Sequence, residues 1–286
     1  MPEMPEVQGL VEFLRGRVAG LTITRASVAN IAALKTYDPP IDALRGAEIT
    51  DAARHGKFID LDTAAGHMVF HLAKAGWLRW YDHLPATIIK PGRTPIALRV
   101  ALSDGSGFDL TEAGTKKSLA VYVVRDPADV PGVARLGPDP LDPTFTRDTL
   151  SELLSGRRTQ IKGVLRDQSI IAGVGNAYSD EILHVARMSP YALASSLDGA
   201  DVDRLYDATK ETLAEAVAAA TGKPPADLKD AKRRGMRVHG RRGQACPDCG
   251  DTVRSVFFAD RSLEYCATCQ TGGKVLADRR LSRLLK

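Results

Sequence analysis

The chain has 286 residues, 44% of them hydrophobic, and a net charge of +4. That length holds two ordinary domains plus a small module. No apolar run reaches the roughly 20 residues of a spanning helix, and Met1-Pro2-Glu3 is no secretory signal, so a cytoplasmic protein with no membrane association is expected. The four cysteines all lie from Cys246 to Cys269, which is wrong for a secreted disulfide framework and right for one metal site. Residues 221–286 carry fifteen Lys and Arg against seven Asp and Glu, +8 against −4 for the remainder. The C-terminal quarter therefore has the electrostatic footprint of a phosphate-binding surface.

At the N-terminus, removal of Met1 would leave Pro2 presenting a secondary amine with a pKa near that of an ordinary α-amino group, about 8. Such an amine is partly unprotonated at neutral pH and can attack an electrophilic sugar carbon to form an iminium. Glu3 beside it can donate and accept a proton. The plainer reading is that Pro2 sets N-terminal processing, while Glu3 and Glu6 sit at the positive end of a helix. Val7, Leu10, Val11, Leu14 and Val18 follow the i, i+3, i+4, i+7 spacing of an amphipathic helix with Pro5 in its first turn.

Residues 46–62, 68–72, 98–102 and 119–124 are rich in β-branched and apolar side chains and are expected as strands, with Ser103-Asp104-Gly105-Ser106-Gly107 as a turn. They define a β-rich domain over 1–128. Pro131, Pro138, Pro140 and Pro143 mark 129–144 as a linker. The texture then changes to helical segments at 150–154, 161–167 and 205–219, within a domain over 145–235. Gly173-Val174-Gly175-Asn176 breaks one helix just before another begins, where close backbone approach and free N–H groups can hold a phosphate.

Cys246-x2-Cys249-x16-Cys266-x2-Cys269 has the spacing of a four-cysteine zinc ribbon, placed over 236–270. Four thiolates leave no open position for water, so the Zn2+ is expected to be structural. Arg261 falls between the knuckles, where its guanidinium can grip a phosphate. A basic tail over 271–286 interleaves leucines with Arg279, Arg280, Arg283 and Lys286.

Together these landmarks resemble the formamidopyrimidine-DNA glycosylase and endonuclease VIII family, from Pro2 to Gln270. They are Pro2-Glu3 with Pro5-Glu6-Val7, Gly56-Lys57, His71-Leu72, Asp167-Gln168, Gly173-Val174-Gly175-Asn176-Ala177-Tyr178, Val238-His239-Gly240-Arg241 and Cys269-Gln270. The resemblance implies an α+β multidomain fold: a two-sheet β-sandwich with flanking helices, a helix-two-turn-helix domain and a C-terminal zinc finger. It implies a nucleoid-associated monomer that binds damaged double-stranded DNA in the cleft between halves and flips out the lesion. Pro2 would attack C1′ of the damaged nucleotide, expelling the base and then supporting elimination of the strand phosphates, so that the enzyme would be both DNA glycosylase and abasic-site lyase, with Glu3 as general acid and base. Lys57 would contact the phosphates beside the lesion, and His71, Asn176 and Arg261 would pinch the backbone around it.

Two departures from the family pattern stand out. A methionine expected shortly after His71-Leu72 is replaced by Lys74, and the loop that carries Arg-x-Phe in relatives reads Thr111-Glu112-Ala113-Gly114-Thr115-Lys116-Lys117-Ser118. Lys116 and Lys117 can still hold phosphate, and Trp77 or Trp80 can offer a stacking face if exposed. The short basic 221–236 segment, where 8-oxoguanine readers carry a longer capping loop, puts that substrate in doubt and leaves oxidised pyrimidines, ring-opened purines, single-stranded or bulky lesions and plain abasic sites open. The rival expectation is a non-catalytic DNA-damage binding protein that keeps the fold.

Overall fold

The structure, a computed structural model, describes residues 1–90, 92, 94–258 and 262–277. It forms two compact units, Met1–Leu136 with Ala220–Lys229, and Gly137–Ala219 with the chain from Asp230 onward. The division at Leu136 falls inside the proline-rich 129–144 segment, and the cysteine-bearing segment shares its unit with the helices.

In the first unit, helix α1 (Met4–Val18) starts where Glu3 and Glu6 cap one another. Glu6 Oε2 accepts the Glu3 N–H at 2.8 Å, and the Glu3 side chain accepts the Glu6 amide. The expected stripe Val7, Leu10, Val11, Leu14 and Val18 is buried. The strands are β1 (Ile23–Val28), β2 (Ile49–His55), β3 (Phe58–Thr63), β4 (Gly66–His71), β5 (Gly76–Tyr81), β6 (Ile96–Leu102), β7 (Gly107–Glu112) and β8 (Ala120–Val124). They pair antiparallel in two four-stranded sheets, β1-β6-β7-β5 and β2-β3-β4-β8. Phe70 of β4 and Phe108 of β7 stack with centroids 6.3 Å apart, so the sheets face each other across one apolar core. Each such buried ring is worth about 3–5 kcal/mol against alanine.

The 46–62 stretch expected as one strand is two, β2 and β3, closed by a tight turn at Gly56 and Lys57 with His55 paired to Phe58. Gly56 takes φ +57°, the left-handed conformation a two-residue hairpin needs. Strands β1, β5 and β7 were not anticipated. In β7 the alternation is masked by acids that are buried: Asp109 takes a bidentate pair from Arg99 at 2.7 and 2.8 Å, and Glu112 is also in the interior. Trp77 and Trp80 are partly buried against the core. Trp77 Nε1–H donates to Pro225 O at 3.0 Å with Lys229 Nζ 4.4 Å over its ring, and Trp80 Nε1–H donates to Asp82 at 2.9 Å with the Phe13 ring 5.7 Å away at 79°, so both indoles are engaged in contacts within the protein.

The second unit holds α2 (Arg147–Leu154), α3 (Ile161–Arg166), α4 (Asn176–Val185), α5 (Gly199–Ala220), α6 (Leu228–Gly235, entering from the first unit), β9 (Val253–Phe257), β10 (Ser262–Cys266) and α7 (Ala267–Thr271). The α3–α4 connection is braced by one side chain. Gln168 Nε2 donates to Arg166 O and Val174 O, and its Oε1 accepts the Gly173 N–H at 2.9 Å. Gly173 has φ +84°, so the glycine is conformationally required there. β9 and β10 pair antiparallel. Arg261 lies outside the described residues, as do Arg279, Arg280, Arg283 and Lys286 of the tail. Among the described residues no helix is long and apolar enough to cross a membrane.

Candidate active site and nucleic-acid interface

Helix α1 runs antiparallel along β2, which sets where its N-terminus points. Arg15 bonds Asp51 at 2.6 Å near the helix end, and Arg54 bonds Gln8 at 2.8 Å nearer its start. Pro2 and Glu3 therefore lie toward the same end of β2 as the Gly56-Lys57 turn. Pro2, Glu3 and Lys57 are all buried, Glu3 at 3% and Lys57 at 7% exposure. Charged side chains are rarely left in the interior without a task or a partner.

His71 ends β4 directly across from Phe58 in the register, and the two rings lie 4.8 Å apart. Burial drives its pKa down to about 4, and the Lys57 charge pushes the same way. Its Nδ1 accepts the Ala73 N–H at 3.1 Å. The neutral ring therefore carries its proton on Nε2 and offers a donor at neutral pH. That contact also holds Ala73 at φ +52° and shapes the turn that exposes Lys74.

The loop after β7 is stapled from beneath by Glu112. Its Oε1 accepts Ser118 N–H at 2.7 Å and Leu119 N–H at 3.0 Å, while Lys117 Nζ donates to the Glu112 carbonyl. Lys116 and Lys117 lie exposed on this fixed loop. Pro2, Glu3, Lys57, His71, Lys116 and Lys117 thus belong to one unit, and Asn176 and the cysteines to the other.

Asn176 is the first residue of α4, and its Nδ2 donates to Ser262 O of β10 at 2.8 Å. Beneath it runs a buried ion network that sequence reading missed. Lys162 Nζ donates to Asn176 O at 3.1 Å, Ser179 Oγ at 2.7 Å and Asp180 Oδ1 at 2.6 Å. His239 Nδ1 lies 2.7 Å from Asp180 and 2.9 Å from Glu264. Burial alone would lower the His239 pKa, but its bonds to those two carboxylates carry it up to about 9. Glu181 accepts the backbone N–H groups of Arg237, Val238 and His239 at 2.6, 3.0 and 2.7 Å, while burial pushes its carboxyl pKa up. These residues fix Asn176 to the ribbon. Only His239 fell within a recognised motif, because the partners lie 59 and 25 positions from it and no local pattern joins them.

The four cysteines converge. Cys246 and Cys269 Sγ are 3.8 Å apart, Cys249 and Cys266 3.4 Å, and all four sulfurs lie within 4.8 Å of one another. A tetrahedron with Zn–S bonds of about 2.3 Å needs S···S separations of about 3.8 Å, so the donor set fits one Zn2+ with no open position. Burial pushes the Cys266 thiol up to about 11, so thiolates this close need a divalent cation to stay deprotonated. Gln270 locks the second knuckle, with its Oε1 accepting Cys266 N–H at 2.9 Å and its Nε2 donating to Met188 O. The zinc is structural, and the sulfurs hold it as a brace for the ribbon.

Three family models match along the chain: the formamidopyrimidine-DNA glycosylase N-terminal domain over residues 1–117, the corresponding H2TH domain over 136–224, and the zinc finger found in FPG and IleRS over 243–272. An uncharacterized formamidopyrimidine-DNA glycosylase-like protein of Mycobacterium tuberculosis is 56% identical over 159 residues, which is 56% of this chain and 99% of that protein. The formamidopyrimidine-DNA glycosylase of Symbiobacterium thermophilum is 34% identical over 98% of this chain and 93% of its own length. The crystal structure of the MutM (FPG) protein of Thermus thermophilus superposes with a TM-score of 0.80 at 29% identity, covering 96% of this chain and all of that one. End-to-end similarity in sequence and fold, together with a matching zinc finger, places this chain in the formamidopyrimidine-DNA glycosylase family of DNA-repair enzymes.

Proposed function

We propose that this DNA glycosylase removes an oxidised base through Pro2 and then cleaves the strand at the abasic site by elimination. The observation that carries the reading is the buried Pro2-Glu3 pair at the capped start of α1, set toward the same end of β2 as Lys57. Once Met1 is removed, the Pro2 nitrogen bonds to C1′ as the bond from C1′ to the base breaks. The base leaves with the proton that the Pro2 nitrogen gives up on bonding. Glu3 protonates the ring oxygen, the sugar opens, and the nitrogen becomes an iminium. Loss of a C2′ proton then expels the 3′ phosphate, a second elimination expels the 5′ phosphate, and water returns the free amine.

Lys57 and the neutral His71 are proposed as phosphate contacts from the first unit, with Lys116 and Lys117 on the stapled loop. Asn176 and Arg261 are proposed as the contacts from the second. The proposal keeps the expected division into a catalytic domain over 1–128, a linker, a helix-two-turn-helix domain over 145–235, a zinc finger over 236–270 and a tail, although Ala220–Lys229 packs with the first unit. For substrate, the segment near 8-oxoguanine-capping loops is committed to packing. Leu228 is 1% exposed in the core, Lys229 sits 4.4 Å over the Trp77 ring, and Trp77 bonds Pro225. That supports oxidised pyrimidines, ring-opened purines or abasic sites over 8-oxoguanine.

The non-catalytic rival loses support, because relatives that span the chain are named as glycosylases and Pro2, Glu3 and Lys57 are all retained. Glu3→Gln tests the reading directly. Base release should fall by roughly a hundred- to ten-thousandfold while DNA affinity and zinc content hold. Normal turnover by that variant would remove Glu3 from the mechanism.

A further inference from the structure

His184 sits on the last turn of α4 and is completely buried. Its Nε2 lies 3.2 Å from Cys246 Sγ. Its Nδ1 is buried with no hydrogen-bond partner among the described residues, and the Asp248 carboxylate, 4.0 Å from Nε2, is beyond hydrogen-bonding range. A neutral imidazole has one N–H, and with nothing for Nδ1 to donate to, that proton belongs on Nε2, facing the sulfur. A protonated ring would donate from the same atom, so the direction of the bond does not depend on titration.

We propose that His184 is an outer-sphere donor to the zinc-bound Cys246 thiolate, lowering the charge density on that sulfur and so slowing zinc loss and thiolate attack on oxidants and alkylating agents. The inference rests on the zinc assignment and not on the catalytic reading. Four thiolates bring more negative charge than one divalent ion neutralises, so an N–H aimed at a sulfur removes part of the excess. Thiolate reactivity follows the electron density on sulfur, which the same bond withdraws. The contact also ties the ribbon to the far end of the helix whose first residue, Asn176, is bonded to Ser262. α4 is thereby fastened to the ribbon at both ends, and the two bonds bracket the Lys162–Asp180–His239 network.

The test compares wild type, His184→Phe and His184→Gln as zinc-loaded full-length proteins. Zinc released to a chromophoric chelator is followed under a fixed excess of iodoacetamide, and the sulfur-to-metal charge-transfer band is recorded after Co2+ substitution. His184→Phe should release zinc on the order of tenfold faster and shift the charge-transfer band to lower energy, with Cys246 alkylated earlier than in wild type by mass spectrometry. His184→Gln, which can still donate, should restore most of the slow release. Identical release and identical spectra for His184→Phe and wild type would overturn the proposal. Should the phenylalanine variant not fold, 113Cd-loaded wild type decides the matter. A correlation from the His184 ring N–H proton to cadmium through the hydrogen bond supports the assignment, and its absence in a spectrum that resolves the Cys246 β-proton correlations refutes it.

Discussion

Two histidines, one in each unit, are displaced in opposite directions, and the contrast shows how the two halves of the molecule handle polar groups. His71 is driven down to about 4 by burial beside the Lys57 cation, whereas His239 is carried up to about 9 because two carboxylates outweigh its burial. The first unit also buries a paired set, Arg99 with Asp109, but the groups proposed to meet DNA there, Lys57, His71 and the exposed Lys116 and Lys117, are all donors. Such a strip fits a polyanion that arrives from outside. The second unit pairs its ions internally, Lys162 with Asp180 and His239 with Asp180 and Glu264, so that its polar groups serve position. Burying one unpaired member of such a network is expensive, whereas a complete set fixes geometry.

The largest expected effect that sharpens this contrast is on the chemistry of the first unit, the Glu3→Gln loss of base release with binding retained. Next comes a structural effect in the second. Glu181→Ala would strand three backbone N–H groups and destabilise that unit by about 3 kcal/mol, seen as a lower melting temperature for the zinc-loaded protein. An unchanged melt would show that the carboxylate is not the anchor described.

A smaller effect is set by pH. The His239 pKa is raised above its ordinary 6.5, so its contribution to stability is fully present below about 6.5 and is lost as pH rises through about 9. The melting difference between wild type and His239→Gln should therefore shrink across that window. His71 has the reverse sign. Its lowered pKa leaves stability intact above 6.5 and costs stability as pH falls from 6.5 toward 4. Its ring-proton resonance should titrate near 4, and a midpoint near 6.5 would contradict the half-buried, neutral donor. The smallest effect concerns Arg261→Ala, which should weaken binding to all sequences alike and reduce the salt slope by about 1. An unchanged slope would remove that phosphate contact.

How much of this was legible in the sequence depended on whether the signal was local. The α1 stripe, the cysteine spacing and the Gly173-x-Gly175 break were readable because each is a short-range pattern that one physical rule interprets. Strand β7 was not, since buried Asp109 and Glu112 disrupt the alternation that marks a strand, and their burial is only explained by Arg99 and by the amides of Ser118 and Leu119; β1, which fully buries only Ile23 of its six residues, carries too weak an alternation to read. The same limit hid the ion network and His184. His184 is 62 positions from Cys246, and a lone histidine on a helix gives no sign of a sulfur neighbour. Candidate nucleophile and acid were visible because Pro2 and Glu3 are adjacent; the bracing beneath Asn176 was not, because it is assembled from α3, α4 and the ribbon.

The central claim, that the amine of Pro2 is the nucleophile, is tested most directly by borohydride reduction of the zinc-loaded protein on a duplex carrying an abasic site, followed by peptide mapping of the adduct. The account predicts a covalent DNA adduct on a chain that begins at Pro2, with the mass on that residue. An adduct that maps to a lysine such as Lys57, or no adduct despite tight binding and confirmed loss of Met1, would contradict it.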